Sequence, residues 1–263
     1  MPDKVSIVIP LYNSQDYISE TIESVRNQTY QDFELIVVDD CSTDKGLSIV
    51  RKIAKKDERI RIIEQHKNSG AAMSRNLGIR AATGRYMTFL DSDDIWFPHM
   101  IETSIKKIKE SQCGFVFASY KMYDQNLKPL LSDFIVPERV DYHNILKQNC
   151  VSCLTAFLDI QKLGKKEMPL IHKRHDLGLW VKYLKEIDYA IGIKEPLAIY
   201  RIRQNSLSRN KLSALRYNWE FYTKYERLGY VKSTFYLIHW MIRGYLKYNR
   251  KTNRNRISEP KKP

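Results

Sequence analysis

The chain has 263 residues, of which 43% are hydrophobic, and its 44 basic and 30 acidic residues give a formal net charge of +14. This apolar content excludes a disordered chain, and the length suits either one well-packed core or one large domain with an appendage. The best candidate for a membrane span, Phe235–Leu246, has 12 residues and includes His239 and Arg243, whereas a span needs about 20 apolar residues. The N-terminal sequence has no signal-peptide pattern and the four cysteines form no disulfide framework, so we expect a cytosolic protein.

The first 120 residues alternate between predicted strands and predicted helices. Apolar runs predict strands at Val5–Pro10, Glu34–Asp39, Arg59–Glu64, Tyr86–Asp91 and Gly114–Tyr120. Helical periodicity predicts a helix with apolar positions from Tyr17 to Val25, and further helices at Lys45–Asp57, Ser69–Ala82 and His99–Ser111. This order predicts an open, mostly parallel α/β sheet with helices on both faces.

After about residue 120 the alternation stops and strands become sparse. We expect an amphipathic helix at Asp176–Glu186 and a strand at Leu197–Arg203. From Asn210 onward the pattern indicates two amphipathic helices with a break near Gly229. The single C-x-x-C pair at 150–153 has no second pair to complete a metal site, so we interpret it as two ordinary thiols.

Polar and aromatic residues follow four consecutive predicted strands. They are Pro10, Tyr12 and Asn13 after the first, Asp39 and Asp40 after the second, Asn68, Gly70, Arg75 and Asn76 after the third, and Asp91, Asp93 and Asp94 after the fourth. Ligands of open α/β sheets bind beyond the carboxyl ends of the strands, so we expect one site along this edge. No G-x-G-x-x-G follows the first strand, which argues against a dinucleotide-binding protein.

The run "FLDSDD" at Phe89–Asp94 gathers three carboxylates directly behind a predicted strand. Residues two apart in an extended segment point the same way, so Asp91 and Asp93 can converge. Hard carboxylate oxygens suit Mg²⁺ or Mn²⁺, and such an ion completes its shell with substrate phosphates. An acidic cap on the helix that follows Pro98 explains the same residues, and these residues alone leave both interpretations open.

Four motifs in order carry a family resemblance: "VSIVIPLYN", "SVRNQTYQDFELIVVDDCSTD", "NSGAAMSRNLGI" and "GRYMTFLDSDD". Together they resemble the family 2 glycosyltransferases with the GT-A fold. The segments "CLTAFLD", "KEMPLIHKRHDLGLWVKYLK" and "LAIYRIRQNSLSRNK" resemble the bacterial group of teichuronic acid, capsule and O-antigen glycosyltransferases. The resemblance covers residues 4–212. It implies a Rossmann-like, mostly parallel sheet flanked by helices, with a nucleotide-sugar-binding part at 1–120, an acceptor-binding part at 121–212 and a helical extension at 213–263.

The resemblance also implies an activity: inverting, metal-dependent transfer of a sugar from a UDP-linked donor to a hydroxyl of a lipid-linked glycan, in bacterial surface polysaccharide biosynthesis. The implied cofactor is Mn²⁺ or Mg²⁺. The implied nucleotide-sugar contacts are Pro10, Tyr12, Asn13, Asp39, Asp40, Asn68, Gly70, Arg75, Asp91, Ser92 and Arg203. Within that set, Tyr12 lies beside the base, Asp40 bonds the uracil edge and Arg75 faces the diphosphate.

Metal and catalytic roles fall on three further carboxylates. Asp93 or Asp94 would bind the ion, and Asp176 matches the family's general base at the start of a helix. Many relatives have Glu-Asp where this chain has His175 before Asp176, and Arg203 stands where relatives often have His. A helix N-cap remains the alternative for Asp176, as a solvated basic loop does for Arg203. A non-catalytic nucleotide-sugar-binding protein is the alternative function.

The C-terminal part is strongly basic. Residues 201–263 contain 16 basic and 3 acidic residues, whereas residues 1–200 contain 28 and 27. Aromatic residues interleave with these charges, which fits an interfacial membrane helix, a nucleic-acid-binding segment, or helices that pack on the domain or on a second copy. A lipid-linked acceptor favours the first, so we expect a cytoplasmic protein, peripheral on the inner face of the cell membrane, with no nucleic-acid partner. A homodimer contact is the alternative.

Overall fold

The computed structural model describes residues 3–202 and 211–257, except for the side chains of 211, 212 and 245–257. The predicted site residue Arg203 lies outside the described residues. The chain divides into two compact units. The first comprises Met1–Tyr142 with Cys150–Gln204, and the second comprises His143–Asn149 with Asn205–Pro263.

Ten strands form one sheet in the first unit. The strands are β1 Val5–Leu11, β2 Phe33–Asp39, β3 Ile60–Glu64, β4 Tyr86–Phe89, β5 Ile95–Trp96, β6 Phe115–Asp124, β7 Pro129–Phe134, β8 Arg139–Val140, β9 Phe157–Asp159 and β10 Ala190–Ile202. The helices of the chain are α1 Ile18–Arg26, α2 Gly46–Ala54, α3 Ala71–Ala81, α4 Met100–Ser111, α5 Tyr142–Lys147, α6 Ile160–Leu163, α7 His175–Leu184, α8 Lys211–Glu220, a π-helix Phe221–Tyr225 and α9 Gly229–Ile257.

The sheet order is β3-β2-β1-β4-β9-β6-β10-β5, with β7 paired to β6 and β8 paired to β10. Strands β3, β2, β1 and β4 are parallel, which confirms the predicted open α/β sheet. Strand β9 is antiparallel to both β4 and β6, so β6 runs in the same direction as β4. Strand β10 is parallel to β6. The second half of the sheet is therefore mixed, with β5, β7, β8 and β9 running against the others.

The core lies on both sides of the central strands. Every residue of β1 and β2 is buried, which explains why their sequences are apolar runs rather than alternating patterns. Helix α3 packs closely on β1 at Gly78, where a Cβ would lie 2.2 Å from Cγ1 of Val8. This close approach fixes α3, and with it the side chain of Arg75, against the sheet.

Some predicted boundaries differ from the structure. Strand β1 continues to Leu11, so Pro10 lies inside a buried strand instead of after it. Strand β4 ends at Phe89, because the chain turns where the Asp94 amide donates to the Asp91 carbonyl at 3.1 Å. The expectation of sparse strands after residue 120 was wrong, since β7 to β10 all follow that point. Strands β8 and β9 have two and three residues, which is too short for a period of two to show.

The second unit is helical. Helix α8 runs into the π-helix, and α9 begins at Gly229. The φ values of Arg227 and Gly229, 53° and 74°, lie in the left-handed region. The predicted break near Gly229 is confirmed. The Tyr222 hydroxyl donates to the Leu146 carbonyl at 2.6 Å, and the Tyr236 hydroxyl lies 2.8 Å from Nδ1 of His143. Within the described residues, no helix has both the length and the hydropathy that a bilayer crossing needs.

Candidate active site

Arg75 is the centre of a buried polar cluster at the carboxyl ends of the strands. It projects from α3 and is 5% exposed. Its Nη2 donates to Oδ1 of Asp91, just after β4, and its Nη1 lies 3.0 Å from Nε2 of His175, at the start of α7. A guanidinium only donates hydrogen bonds, so Nε2 of His175 is the acceptor and the proton of the neutral ring is on Nδ1. Arg75 therefore connects the end of β4 to α7.

Charges in this cluster act on each other. Burial lowers the pKa of Arg75, but the hydrogen bond and charge of Asp91 together with the nearby Cys153 and Asp176 raise it by more, so the pKa of Arg75 lies above its usual value. Burial and the nearby Arg75 charge both lower the pKa of His175, which keeps its imidazole neutral. Burial raises the pKa of the Cys153 thiol, so Cys153 stays protonated. Asp176 directly follows His175 in α7, and its charge acts on all three groups. The structure thus brings together the predicted residues Arg75, Asp91 and Asp176.

The acidic run after β4 folds into a turn held by Arg201 of β10. The Asp94 carboxylate is 1% exposed, and its Oδ1 accepts from the Arg201 amide at 2.8 Å. Burial, followed by the charges of Asp93 and Asp91, raises the pKa of Asp94 well above its usual range. Nε of Arg201 donates to the Asp93 carbonyl at 2.8 Å. Asp94 therefore secures the turn to β10.

Ser92 also bonds within the protein. Its hydroxyl donates to Oγ of Ser14 at 2.8 Å, and its carbonyl accepts from Oγ1 of Thr21 at 3.2 Å. These bonds connect the acidic turn to the segment between β1 and α1, through Ser14, and to α1 itself, through Thr21. The predicted contact of Ser92 with a nucleotide sugar stays a prediction.

The adjacent carboxylates Asp39 and Asp40 are both 3% exposed, but they have different partners. Asp40 accepts hydrogen bonds from the amides of Ser69 at 2.7 Å and Gly70 at 2.8 Å, and from Nε2 of Gln65 at 2.8 Å. Asp39 accepts from the Ser42 amide at 3.2 Å through Oδ2, and its buried Oδ1 has no hydrogen-bond partner among the described residues. Asp40 thus fixes the loop before α3, and Asp39 retains a buried acceptor atom without a partner among the described residues.

The remaining predicted residues surround the same strand ends. Tyr12 is 50% exposed immediately after β1, as a side chain available for stacking would be. Asn13, at φ 46°, accepts from the Thr43 amide at 2.9 Å through Oδ1 and ties the loop after β1 to the loop after β2. Asn68 is exposed, and Gly70 begins α3 with φ 84°, a value that L side chains rarely adopt.

The residues present fit a divalent ion only in combination with a phosphate ligand. Among the described residues, no three His, Cys, Asp or Glu side chains converge as a complete metal site. Asp93 follows β4 with a partly exposed side chain, whereas the Asp94 carboxylate is directed at β10. One or two carboxylates with substrate phosphates is the usual set for Mg²⁺ or Mn²⁺, so Asp93, together with Asp91, fits such a set better than Asp94 does.

Two residues of this region escaped the sequence analysis. Arg201 is a basic residue inside an apolar strand, which is a weak signal for a buried charge. Cys153 gave no usable signal, because its position beside Arg75 depends on contacts between distant parts of the chain.

The sheet order, the acidic turn after β4 and the Arg75 cluster are those expected of the GT-A fold, which solved glycosyltransferase structures share with this chain. The sequence profile of "Glycosyl transferase family 2" matches residues 6–155. The chain belongs to this family, which confirms the resemblance seen in its motifs.

Several bacterial relatives are similar over most of the chain. TuaG of Bacillus subtilis, assigned as a teichuronic acid biosynthesis glycosyltransferase, is 39% identical over 90% of this chain and 94% of its own length. WfgD of Escherichia coli, a UDP-Glc:alpha-D-GlcNAc-diphosphoundecaprenol beta-1,3-glucosyltransferase, is 33% identical over 93% and 94% of the two chains.

Solved structures share the fold. TarS 1–349 of S. aureus in complex with UDP-GlcNAc has a TM-score of 0.66 at 21% identity, over 84% of this chain and 67% of that one. The mannosyltransferase PcManGT of Pyrobaculum calidifontis, in complex with GDP-Man and Mn²⁺, also has a TM-score of 0.66, at 19% identity over 90% and 70%.

Proposed function

We propose that the chain transfers a sugar from a UDP-sugar donor to a hydroxyl of a lipid-linked glycan in bacterial surface polysaccharide biosynthesis. The transfer inverts the configuration of the anomeric carbon. The observation that carries this proposal is the convergence of Arg75, Asp91 and Asp176 at the carboxyl end of β4. The cluster contains a cation for a diphosphate and a carboxylate for a proton, which are the two groups that sugar transfer from a nucleotide requires.

The nucleotide base would lie over the ends of β1 and β2. Tyr12 offers an exposed ring for stacking, and Oδ1 of Asp39 offers a buried acceptor for the N–H of a uracil. We therefore propose that Asp39 recognises the base. Asp40, the residue predicted for that role, instead supports the loop at Gly70. The UDP-Glc named for WfgD and the UDP-GlcNAc bound by TarS support a UDP donor.

The diphosphate would lie between the acidic turn and α3. Arg75 stays charged because the neighbouring acidic groups, Asp91 first among them, together raise its pKa by more than burial lowers it, so its guanidinium can stabilise the charge that develops on the leaving group. Asp91 and Asp93 are the carboxylates that would hold a Mn²⁺ or Mg²⁺ ion here, a role that the Mn²⁺ complex of PcManGT supports. When bound, the ion neutralises further negative charge on the leaving diphosphate.

The acceptor hydroxyl must lose a proton, and Asp176 is the carboxylate near the cluster for that role. It is the second residue of α7, partly exposed, and its charge acts on both Arg75 and His175. With one general base and no second carboxylate acting as nucleophile, displacement at the anomeric carbon is in line and inverts it. The diphosphoundecaprenol acceptor named for WfgD supports a lipid-linked acceptor for this chain. Such an acceptor would bring the protein to the inner face of the cell membrane.

The test measures donor binding and transfer separately. Calorimetry with UDP, with and without Mn²⁺, should show metal-dependent binding in the wild type and weakened binding in Asp93→Ala. Asp176→Asn should bind UDP as the wild type does and lose sugar transfer to a diphosphate-linked glycan. Wild-type binding of UDP with no transfer to any glycan would favour the alternative, a non-catalytic nucleotide-sugar-binding protein. Absence of UDP binding would contradict the proposal.

A further inference from the structure

Helix α9 has a second apolar face that its own unit does not cover. The described face that packs inward includes Ser233 at 0% and Tyr236 at 7% exposure. The opposite face has four large apolar side chains, and they are all substantially exposed: Val231 at 86%, Phe235 at 48%, Ile238 at 45% and Ile242 at 50%.

The four side chains form one stripe. Their spacing of four, three and four residues places them within a sector of about 60° on an α-helix. Tyr230 and Met241, 77% and 43% exposed, extend the stripe on one side. Isolated exposed apolar residues are common, but a continuous stripe along three helical turns is typical of a binding surface.

Positive charge lies along the other side of the stripe. Successive residues of an α-helix are about 100° apart around its axis. Lys232 and Arg243 therefore project about 100–120° around the helix from Val231, the first residue of the stripe. Nζ of Lys147 lies 6.0 Å from the ring centroid of Phe235, so a third cation is next to the stripe. The sequence of α9 contains seven Lys and Arg residues and no Asp or Glu. A second copy of the chain would bring the same cations to such a contact, whereas an anionic lipid surface complements them.

We infer that the stripe Val231–Phe235–Ile238–Ile242 is a docking surface for an anionic lipid bilayer, on which α9 lies in the plane of the interface. The apolar stripe enters the boundary between headgroups and acyl chains, and Lys147, Lys232 and Arg243 contact lipid phosphates. The inference extends the proposed function by naming the partner surface, but its test does not require glycosyl transfer.

The test is sedimentation of the full chain with vesicles of phosphatidylcholine alone, or of phosphatidylcholine mixed with phosphatidylglycerol. Ile238→Ser with Ile242→Ser should weaken binding to the mixed vesicles by roughly tenfold or more, because two apolar anchors are lost. Lys232→Gln with Arg243→Gln should weaken it by roughly tenfold and only on anionic vesicles. The matched control is Leu130→Ser with Ile135→Ser, which removes two equally exposed apolar side chains of the first unit, 50% and 56% exposed, and should bind as the wild type does.

Three outcomes would overturn the inference. The first is a wild type that does not bind anionic vesicles. The second is a stripe variant that binds them as tightly as the wild type, and the third is a control variant that loses as much binding as the stripe variant. Light scattering on the same samples tests the second copy as occupant: a dimer that the stripe variant converts to monomers, with vesicle binding unchanged, assigns the stripe to self-association. UDP calorimetry on these samples separates the two proposals, because a chain that binds vesicles but no UDP contradicts only the proposed function.

A separate observation concerns Arg201, which is 5% exposed and bonds to three different segments of the first unit, namely the acidic turn, the turn between β6 and β7, and α1. Its backbone amide donates to Asp94, whereas its guanidinium donates to the Asp93 carbonyl, to the Gln125 carbonyl at 3.0 Å and to Oε2 of Glu20 at 2.5 Å. The geometry points to Arg201 as a positioning residue that sets the orientation of the Asp93 carboxylate through the backbone of the acidic turn. This second inference rests on the proposed metal role of Asp93.

The metal requirement separates positioning from folding. Arg201→Lys should raise the Mn²⁺ concentration for half-maximal UDP binding roughly 10–100-fold, as loss of supporting contacts does in metal sites. Glu20→Gln is the matched control, because it removes the outer ion pair and leaves the bond to Asp93, and its Mn²⁺ requirement should match the wild type. A lower melting temperature for Arg201→Lys with an unchanged Mn²⁺ requirement would assign Arg201 to folding alone. UDP binding by the wild type that does not depend on Mn²⁺ would overturn the metal role of Asp93, and with it this inference.

Discussion

Nη1 of Arg75 and Nε2 of His175 lie 3.0 Å apart, and the hydrogen bond between them requires a neutral imidazole. The Arg75 guanidinium therefore has one anionic partner, Asp91, and one neutral partner. A second carboxylate in place of His175 would cancel more of its charge. In this chain Arg75 is held at two points and its guanidinium stays protonated, which suits a group that stabilises a diphosphate.

His175 should make the folded chain sensitive to acid. Burial and Arg75 lower its pKa below 6.5, so the unfolded chain binds this proton more readily than the folded one. Stability from the neutral ring is complete above about pH 6.5 and decreases as the pH falls from there through the folded pKa. The groups that face the ring are Arg75, Asp91, Asp176 and His172.

Melting temperatures measured between neutral and acid pH test this prediction. The wild type should lose more stability than His175→Gln, whose side-chain oxygen accepts from Arg75 at every pH. His99→Gln, at a half-exposed pair with Glu195, is the control and should follow the wild type. Parallel curves for the wild type and His175→Gln would show that the imidazole does not titrate in this way.

Asp39→Asn and Asp40→Asn should affect different properties: the first should weaken UDP binding, and the second should lower the free energy of unfolding. Asp40 accepts two backbone amides, so its amide variant should lose about 1.5–3 kcal/mol of unfolding free energy. Asp39 has a buried Oδ1 without a partner, so Asp39→Asn should leave stability nearly unchanged and weaken UDP binding by roughly tenfold. Denaturant unfolding and UDP calorimetry measure the two quantities. If UDP binding is weaker in Asp40→Asn and unchanged in Asp39→Asn, then Asp40, and not Asp39, recognises the base.

Much of this site could be predicted from the sequence. Buried parallel strands are continuous apolar runs, so β1 to β4 were located to within about two residues and their carboxyl ends marked the site. The different roles of Asp39 and Asp40 could not be predicted, because neighbours in sequence look equivalent until their partners are known. The bond from Arg201 to the Asp93 carbonyl joins residues 108 positions apart, and no local pattern encodes such a contact.

Asp176→Asn should separate chemistry from binding. Loss of a general base lowers the rate of transfer by roughly 10²–10⁴-fold, whereas UDP binding should not weaken, because Asp176 is assigned to the acceptor. Initial rates at saturating donor and acceptor measure the first quantity, and calorimetry measures the second. Glu167→Gln, at an exposed ion pair with Arg80, is a control carboxylate that should retain full transfer. Transfer by Asp176→Asn at the wild-type rate would show that another group accepts the proton.

Gly78→Ala and Gly244→Ala should change stability in opposite directions. A Cβ at Gly78 would lie 2.2 Å from Cγ1 of Val8, so the substitution forces α3 away from β1 and should cost about 1–3 kcal/mol. A Cβ at Gly244 in α9 meets nothing within 4 Å, and alanine there should stabilise the helix by up to about 1 kcal/mol. Denaturant unfolding of both variants gives the free energies, and Val8→Ala should rescue part of the loss in Gly78→Ala by restoring space. Because α3 carries Arg75, Gly78→Ala should also weaken UDP binding, and a destabilised variant with normal UDP affinity would show that the site tolerates a shift of this helix.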